Sequence, residues 1–330
     1  MTKGRTAPTS IGGNAIGPVG FGMLGLTVPW APIEYPVAIK VMKTALEQGA
    51  NFWNGGIFYG TPEANSLHLL KYYFEKYPED AGKVVLSIKG AFDMKEGPDG
   101  SPEGIRASVE DAIKVLPPAV KSIDIFQCAR VDPNVQIETS VQELAQLVQE
   151  GKIGGVGLSE ANANTIRRAQ AVHPIAAVEI ELSLFTPDPL RNGIAETCHE
   201  LQIPIAAYSP VSRGLLTGSL RAPSDLSSND FRLRYPRFQP QNLSQNVKLV
   251  EAVEQIAERK QVSLAQVAIS WVYAQGAIPI PGSTKAERVE ENCKLVELSE
   301  DELEELGGIL EKFPVGGGRY GEVQQRFLNG

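Results

Sequence analysis

The residues able to do chemistry in this chain are few, and their scarcity narrows the chemistry. Only three histidines occur, His68, His173 and His199. His68 falls inside a helical stretch, His173 stands directly before Pro174 at the base of an apolar run, and His199 rides on a surface helix. None is placed to serve as a general base. The three cysteines, Cys128, Cys198 and Cys293, are odd in number and widely spaced, which fits neither a disulfide framework nor a metal cluster; no metal is expected. What remains is a phenol and an ammonium. An ordinary tyrosine hydroxyl has a pKa of about 10, so Tyr59 is protonated at neutral pH and able to donate. Lys89 follows Val84-Val85-Leu86-Ser87-Ile88, so its cation ends an apolar run with no cheap way to avoid burial. A cationic pair, Lys285 and Arg288, stands three apart at the start of a helical stretch, where both can reach one anion. The bland alternatives are a tyrosine packed on a rim and a solvated pair on an exposed helix.

These groups need elements to position them. Eight short apolar runs read as strands: residues 19–21, 51–54, 84–89, 123–128, 155–159, 176–182, 203–208 and 277–280. Helical spacing follows at 35–49, 62–77, 102–115, 138–149, 164–171, 190–201, 247–259, 264–275, 286–294 and 303–311. Such alternation means parallel strands joined by helical crossovers. Eight units in 330 residues predict an α/β fold, the (β/α)8 TIM barrel, as one domain over 1–330, with a long loop at about 213–243 and a C-terminal tail at about 313–330. A doubly wound sheet is the alternative, and Gly20-Phe21-Gly22-Met23-Leu24-Gly25 literally matches G-x-G-x-x-G. A dinucleotide fingerprint must open a helix. Here Pro29 and Pro32 follow, so no helix begins before about residue 33, and the match is refused.

Composition sets the outer bounds. The chain is 42% hydrophobic and 21% charged, an ordinary globular balance. Its net charge of −8 argues against nucleic acid or an anionic membrane as a partner. The first 17 residues carry Lys3 and Arg5 but no apolar run suited to a signal peptide, and no stretch is long and apolar enough to span a bilayer. The Asn242-Leu243-Ser244 sequon is therefore without meaning, and the expected location is the cytoplasm, with diffusion into the nucleus left open. The oligomeric state is not legible.

In a barrel the chemistry sits at the C-terminal strand ends, and six segments there carry a family pattern. Gly49-Ala50-Asn51-Phe52-Trp53-Asn54 leads to Phe58-Tyr59-Gly60. Lys89 ends the third strand, and Ile123 to Pro133 includes Arg130-Val131-Asp132-Pro133. Val156-Gly157-Leu158-Ser159 follows. Then come Ala207-Tyr208-Ser209-Pro210-Val211 with Gly214-Leu215-Leu216-Thr217-Gly218. Ile280-Pro281-Gly282-Ser283-Thr284-Lys285 continues to Arg288 and Asn292. In this order they resemble the aldo-keto reductase superfamily over nearly the whole chain. Two positions depart from it: Asn54 stands where the family has an aspartate, and Ala129 where it has a histidine. Together with Phe126-Gln127-Cys128-Ala129-Arg130 and Ile16-Gly17-Pro18-Val19-Gly20, these departures look like the pyridoxal reductase branch.

The resemblance implies NADPH-dependent reduction of an aldehyde, pyridoxal to pyridoxine first among them. The alternatives are reduction of other aliphatic or aryl aldehydes, or an NADP(H)-binding auxiliary or redox-sensing protein with little catalysis. It implies Tyr59 as the acid, with Lys89 beside it and Asn54 at the aspartate position. Lys89 then has no anionic partner, and burial should lower its pKa. The implied cofactor residues are Gly22 and Met23, Ser159 and Glu179 at the carboxamide, and Tyr208 against the nicotinamide. Ser209, Pro210 and Val211 are further cofactor residues, and Arg213, Gly214 and Leu216 start the loop over the pyrophosphate. Gly282, Ser283 and Asn292 belong to the same set, and Lys285 and Arg288 favour a 2′-phosphate, so NADP over NAD. Ala129 is expected to leave a ring-sized gap for the substrate, with Trp30 and Phe58 as pocket walls.

Overall fold

A computed structural model describes residues 6–328 and 330. Lys3 and Arg5 of the N-terminal stretch, and one residue of the tail, lie outside them. Eight parallel strands form one sheet in strict sequence order: β1 (Phe21–Gly22), β2 (Phe52–Gly56), β3 (Val85–Gly90), β4 (Ile125–Cys128), β5 (Val156–Ser159), β6 (Ile175–Glu181), β7 (Ile205–Tyr208) and β8 (Ile278–Pro279). Gly20 N–H donates to Pro279 O at 2.9 Å and Gly22 N–H to Pro281 O at 3.1 Å, which brings the first strand to the last and closes the barrel.

That seam explains the glycine motif. A Cβ on Gly20 would lie 2.8 Å from Phe52 O, one on Gly22 2.8 Å from Ile280 O, and one on Gly282 2.6 Å from Gly22 O. The glycines let backbones meet where β1 and β8 join, and a single 3-10 turn at Leu24–Leu26 follows instead of a helix. The G-x-G-x-x-G match is a backbone seam and not a dinucleotide fingerprint.

Helices cover the barrel outside: α1 (Tyr35–Glu47), α2 (Ser66–Lys76), α3 (Pro102–Val115), α4 (Ile137–Gln149), α5 (Ala163–Val172), α6 (Ile194–Glu200), α7 (Pro240–Lys260), α8 (Leu264–Ala274), α9 (Ala286–Asn292) and α10 (Glu300–Lys312). Local chemistry fixes several starts. Asn65 caps α2 by accepting from Leu67 N–H, and His68 Nδ1 accepts from Asn65 N–H at 3.4 Å, so this histidine is a capping residue. Ser263 with Gln266 and Ser299 with Glu302 form capping boxes on α8 and α10. Two elements differ from expectation. The stretch 190–201 splits, because Gly193 at φ 88° separates a 3-10 turn at Asp188–Leu190 from α6. Helix α7 begins at Pro240, whose missing N–H suits a first turn, and so takes in the end of the long loop. The rest of that loop is short 3-10 turns.

The barrel interior is layered. A lower layer holds Phe52, Ile125, Ala177 and Ile278, closed from below by Ile11 of the hairpin Ser10–Ile11 and Asn14–Ala15. Two residues further along the same alternate strands come Asn54, Gln127 and Glu179, pointing the same way because strand side chains repeat with period two. All three are buried, as is Lys89 on β3. Among the described residues no helix is long and apolar enough to cross a membrane.

Candidate active site

The polar layer is a connected cluster. Lys89 Nζ donates to both oxygens of Glu179, each at 2.9 Å, and also to Asn54 Oδ1. Asn54 Nδ2 donates to Glu179 Oε2 at 2.7 Å, and Gln127 Nε2 donates to the same oxygen at 2.6 Å. Lys89 is 2% exposed, Asn54 and Glu179 3% each. Glu179 is therefore not turned to a carboxamide; its carboxylate is engaged by three buried donors. The expectation that Lys89 lacks an anionic partner is corrected, and so is its consequence. Burial does push the ammonium pKa down, but Glu179 and Tyr59 outweigh it and hold the value above the ordinary one.

Tyr59 sits over this cluster, half-buried at the mouth, with Lys89 Nζ 5.0 Å from its ring centre. Burial raises the phenol pKa; the charge and hydrogen bond of Lys89 pull it back, Glu179 raises it and Arg130 lowers it, leaving it above the ordinary value. Desolvation is thus larger than the lowering by Lys89. Ala129 is 1% exposed, so no ring-sized gap is open beside it. Arg130 follows, nearly buried, donating to Ala129 O at 2.5 Å with its guanidinium 6.0 Å from the Tyr320 ring. Phe58 packs edge-on against Tyr59 at 5.0 Å and against Phe92 at 5.2 Å. Trp30 is 53% exposed and lies 5.2 Å from Phe231 of the long loop.

A second cluster lies across the mouth, and much of it was not anticipated. Tyr208 Oη donates to Glu160 Oε1 at 2.8 Å and lies 3.0 Å from Tyr320 Oη. Arg319 binds the same Glu160 at 2.7 and 3.1 Å. Arg213 stacks over Tyr320 and Tyr235 at 4.6 and 4.8 Å and reaches Glu181 at 3.3 Å, where Arg237 also binds. Burial raises the Glu181 carboxyl pKa, but Arg213, Arg237 and Arg319 overcome it and hold it low. Burial and then Glu160 push the Tyr208 phenol well up. So the tail's Arg319 and Tyr320 are tied to the ends of β5 and β7. Ser209, Ser212, Arg213 and Gly214 all have positive φ, a sharply folded loop start in which Ser212 N–H donates to Ser209 O at 2.8 Å and Gly214 N–H to Val211 O at 3.0 Å.

Other expected residues are spread along this rim. Ser159 Oγ is buried without a hydrogen-bond partner. Met23 and Leu216 are buried side chains. Gly282, Lys285 and Arg288 are exposed at the start of α9, with Ser283 Oγ accepting from Lys285 N–H at 3.1 Å. Gly22, Pro210, Val211 and Asn292 complete the set on β1, the β7 loop and α9. His173 and His199 are remote, as expected: His173 Nδ1 lies 2.9 Å from Pro174 O and His199 is exposed.

A closed eight-strand barrel holding a phenol, a buried ammonium and a carboxylate at its C-terminal strand ends is the frame of a barrel oxidoreductase. The chain belongs to the aldo/keto reductase family, whose sequence model matches residues 18–311. It is 44% identical to a probable pyridoxal reductase 2 of Schizosaccharomyces pombe, over 97% of this chain and 99% of that one. It is 39% identical to a probable aldo-keto reductase 1 of Glycine max, over 97% and 93%. Among solved structures, a glycerol dehydrogenase from Gluconobacter oxydans superposes with a TM-score of 0.79 at 24% identity, covering 94% of this chain and 95% of that one, which shows the shared fold. The family works with nicotinamide nucleotides on small-molecule aldehydes.

Proposed function

We propose that the chain is a cytoplasmic NADPH-dependent aldehyde reductase and that it reduces pyridoxal to pyridoxine. The observation that carries this reading is the order of groups at the strand ends: a phenol at the mouth, a charged lysine behind it, and a carboxylate behind the lysine. Reduced nicotinamide, when bound, supplies the hydride to the aldehyde carbon. Tyr59 gives its proton to the carbonyl oxygen as negative charge develops there, and Lys89 stabilises the phenolate left behind. The raised pKa values of both groups keep them protonated through neutral pH. Reduction should therefore hold through mildly alkaline pH and fall only as the donor proton is lost.

The cofactor reading fits the residues present. Ser159 has a buried hydroxyl with nothing to bond, as a site for an amide group would. Tyr208 has its hydroxyl fixed by Glu160, which holds the ring at the end of β7. Lys285 and Arg288 are exposed cations three residues apart, suited to a 2′-phosphate. Converting both to Ala should weaken NADPH binding by about 10- to 100-fold and leave NADH binding nearly unchanged. Pyridoxal rests on the 44% relative and on the motifs that include Asn54 and Ala129. Trp30 and Phe58 are the walls offered to a substituted ring.

The test is direct: mix the protein with NADPH and pyridoxal and follow the absorbance of the reduced nicotinamide. Decay supports the reading. Decay with other aldehydes but not pyridoxal replaces the substrate, and tight NADPH binding without decay on any aldehyde makes the chain a nucleotide-binding protein instead.

A further inference from the structure

We propose that Glu179 is the counter-ion of Lys89, so that the negative charge the family keeps at position 54 has moved across the barrel to β6 in this chain. For its catalytic consequence this rests on the aldehyde reductase reading above. Lys89 makes two bonds to Glu179, and the remaining donors on that carboxylate, Asn54 and Gln127, are neutral amides. The cluster thus holds one cation and one anion, all nearly sealed from water. A buried ammonium without an anion would lose its proton; one with a paired carboxylate keeps it.

The same distances explain why position 54 is an amide. Asn54 Nδ2 is a donor 2.7 Å from Glu179 Oε2, while its Oδ1 accepts from Lys89. An aspartate there would set two carboxylates within hydrogen-bond distance, which cannot both stay ionised cheaply. The asparagine at 54 and the glutamate at 179 are therefore one exchange: the carboxylate stands on β6 and an amide faces it from β2. Glu179 is a positioning residue: it acts on the substrate only through Lys89 and Tyr59. The charged and titratable groups facing Lys89 are Glu179 from β6 and Tyr59 from the loop after β2, with Arg130 beyond Tyr59.

Four proteins test the exchange: the parent, Glu179→Gln, Asn54→Asp and the double variant. Glu179→Gln should lower kcat for the aldehyde by about 100-fold, with a smaller change in KM, and move the alkaline fall of the pH profile to lower pH, because Lys89 gives up its proton sooner. Asn54→Asp alone should also slow turnover. The double variant restores one anion and one amide, and should recover most of the lost rate and the parent's pH profile. Glu179→Gln within threefold of the parent with an unchanged pH profile, or a double variant no faster than Glu179→Gln, would overturn the proposal. Thermal melting without cofactor gives an arm that needs no activity: Glu179→Gln should melt below the parent and the double variant should regain the loss. If the parent reduces no aldehyde, the function reading falls, and melting alone decides: equal melting of Glu179→Gln and parent sinks the pairing. If Glu179→Gln does not fold, a folded double variant supports the proposal and an unfolded one ends it.

Discussion

Among the described residues two places bring together a tyrosine, a lysine and a carboxylate, and we propose only one of them as an active site. At the mouth, Lys89 stands between Tyr59 and Glu179. At the opposite end of the barrel, Asp80 is the hub: Tyr73 Oη donates to it at 2.8 Å, Lys43 at 2.6 Å and Lys83 at 2.9 Å. The groups are the same and their order differs. Tyr73 keeps its proton and donates it in a hydrogen bond to a carboxylate, and burial followed by that bond drives its pKa far up. It is a fixed strut joining α2 to the turn before β3. Tyr59 faces a cation, so its proton is not committed to an acceptor and the phenolate left on donation is stabilised. A lysine between phenol and carboxylate makes an acid; a carboxylate between phenol and lysine makes a staple.

Removing the one oxygen of Tyr59 should separate the two sites most sharply. Tyr59→Phe should cut turnover by about 10²–10⁴-fold, the usual worth of a positioned proton donor. NADPH binding, measured by fluorescence titration, should be spared, and the melting temperature should barely move. Turnover that survived would show that Tyr59 is not the acid and erase the contrast.

Asp80→Asn comes next and should act on stability alone. Burial would raise the Asp80 carboxyl, but hydrogen bonds from Lys43, Lys83 and Tyr73 hold it below the ordinary carboxylate value. A depressed folded-state pKa contributes stability that is present above the unfolded value and lost as pH falls through the folded one. The parent should therefore lose stability on acidification below about pH 4, and Asp80→Asn should show less of that loss. At neutral pH the variant should be about 2 kcal/mol less stable in urea unfolding. The figure is kept low because Lys83 is more than half in water. Its kcat should match the parent's.

The barrel was legible because alternation of short apolar runs with amphipathic stretches survives in sequence, and strand-end position then picked out Tyr59 and Lys89. The partner of Lys89 was not. Glu179 lies 90 residues away from Lys89 in sequence, and what joins them is the layering of inward side chains on alternate strands. The signal was present in Phe52-x-Asn54, Ile125-x-Gln127 and Ala177-x-Glu179, each a polar residue two beyond an apolar one on a buried strand. It becomes readable only when those strands are superposed in register. The covering of Ala129 and the docking of Arg319 and Tyr320 depend on tertiary packing that no local period encodes. Asp80 was missed for a different reason: a carboxylate flanked by Glu79 and Lys83 reads as an ordinary solvated turn, and what closes on it are Tyr73 of α2 and Lys43 of α1.

The smallest effect is the one that tests the comparison most cleanly. Tyr73→Phe removes the same atom as Tyr59→Phe, from a ring that stays packed at 5.1 Å from Trp53 and 5.1 Å from Tyr77. Asp80 keeps both lysines, so the loss is one hydrogen bond to a charged acceptor, about 1.5 kcal/mol. With one donor gone, the Asp80 carboxyl should sit less far below its ordinary value, and the acid limb of stability should move slightly upward in pH. Aldehyde turnover should not change. Two Tyr→Phe substitutions thus cross over, one costing rate without stability and the other stability without rate. A Tyr73→Phe variant that lost turnover with its fold intact would mean that the strut communicates with the mouth through β3, the strand that carries Lys89, and the two clusters would have to be treated as one.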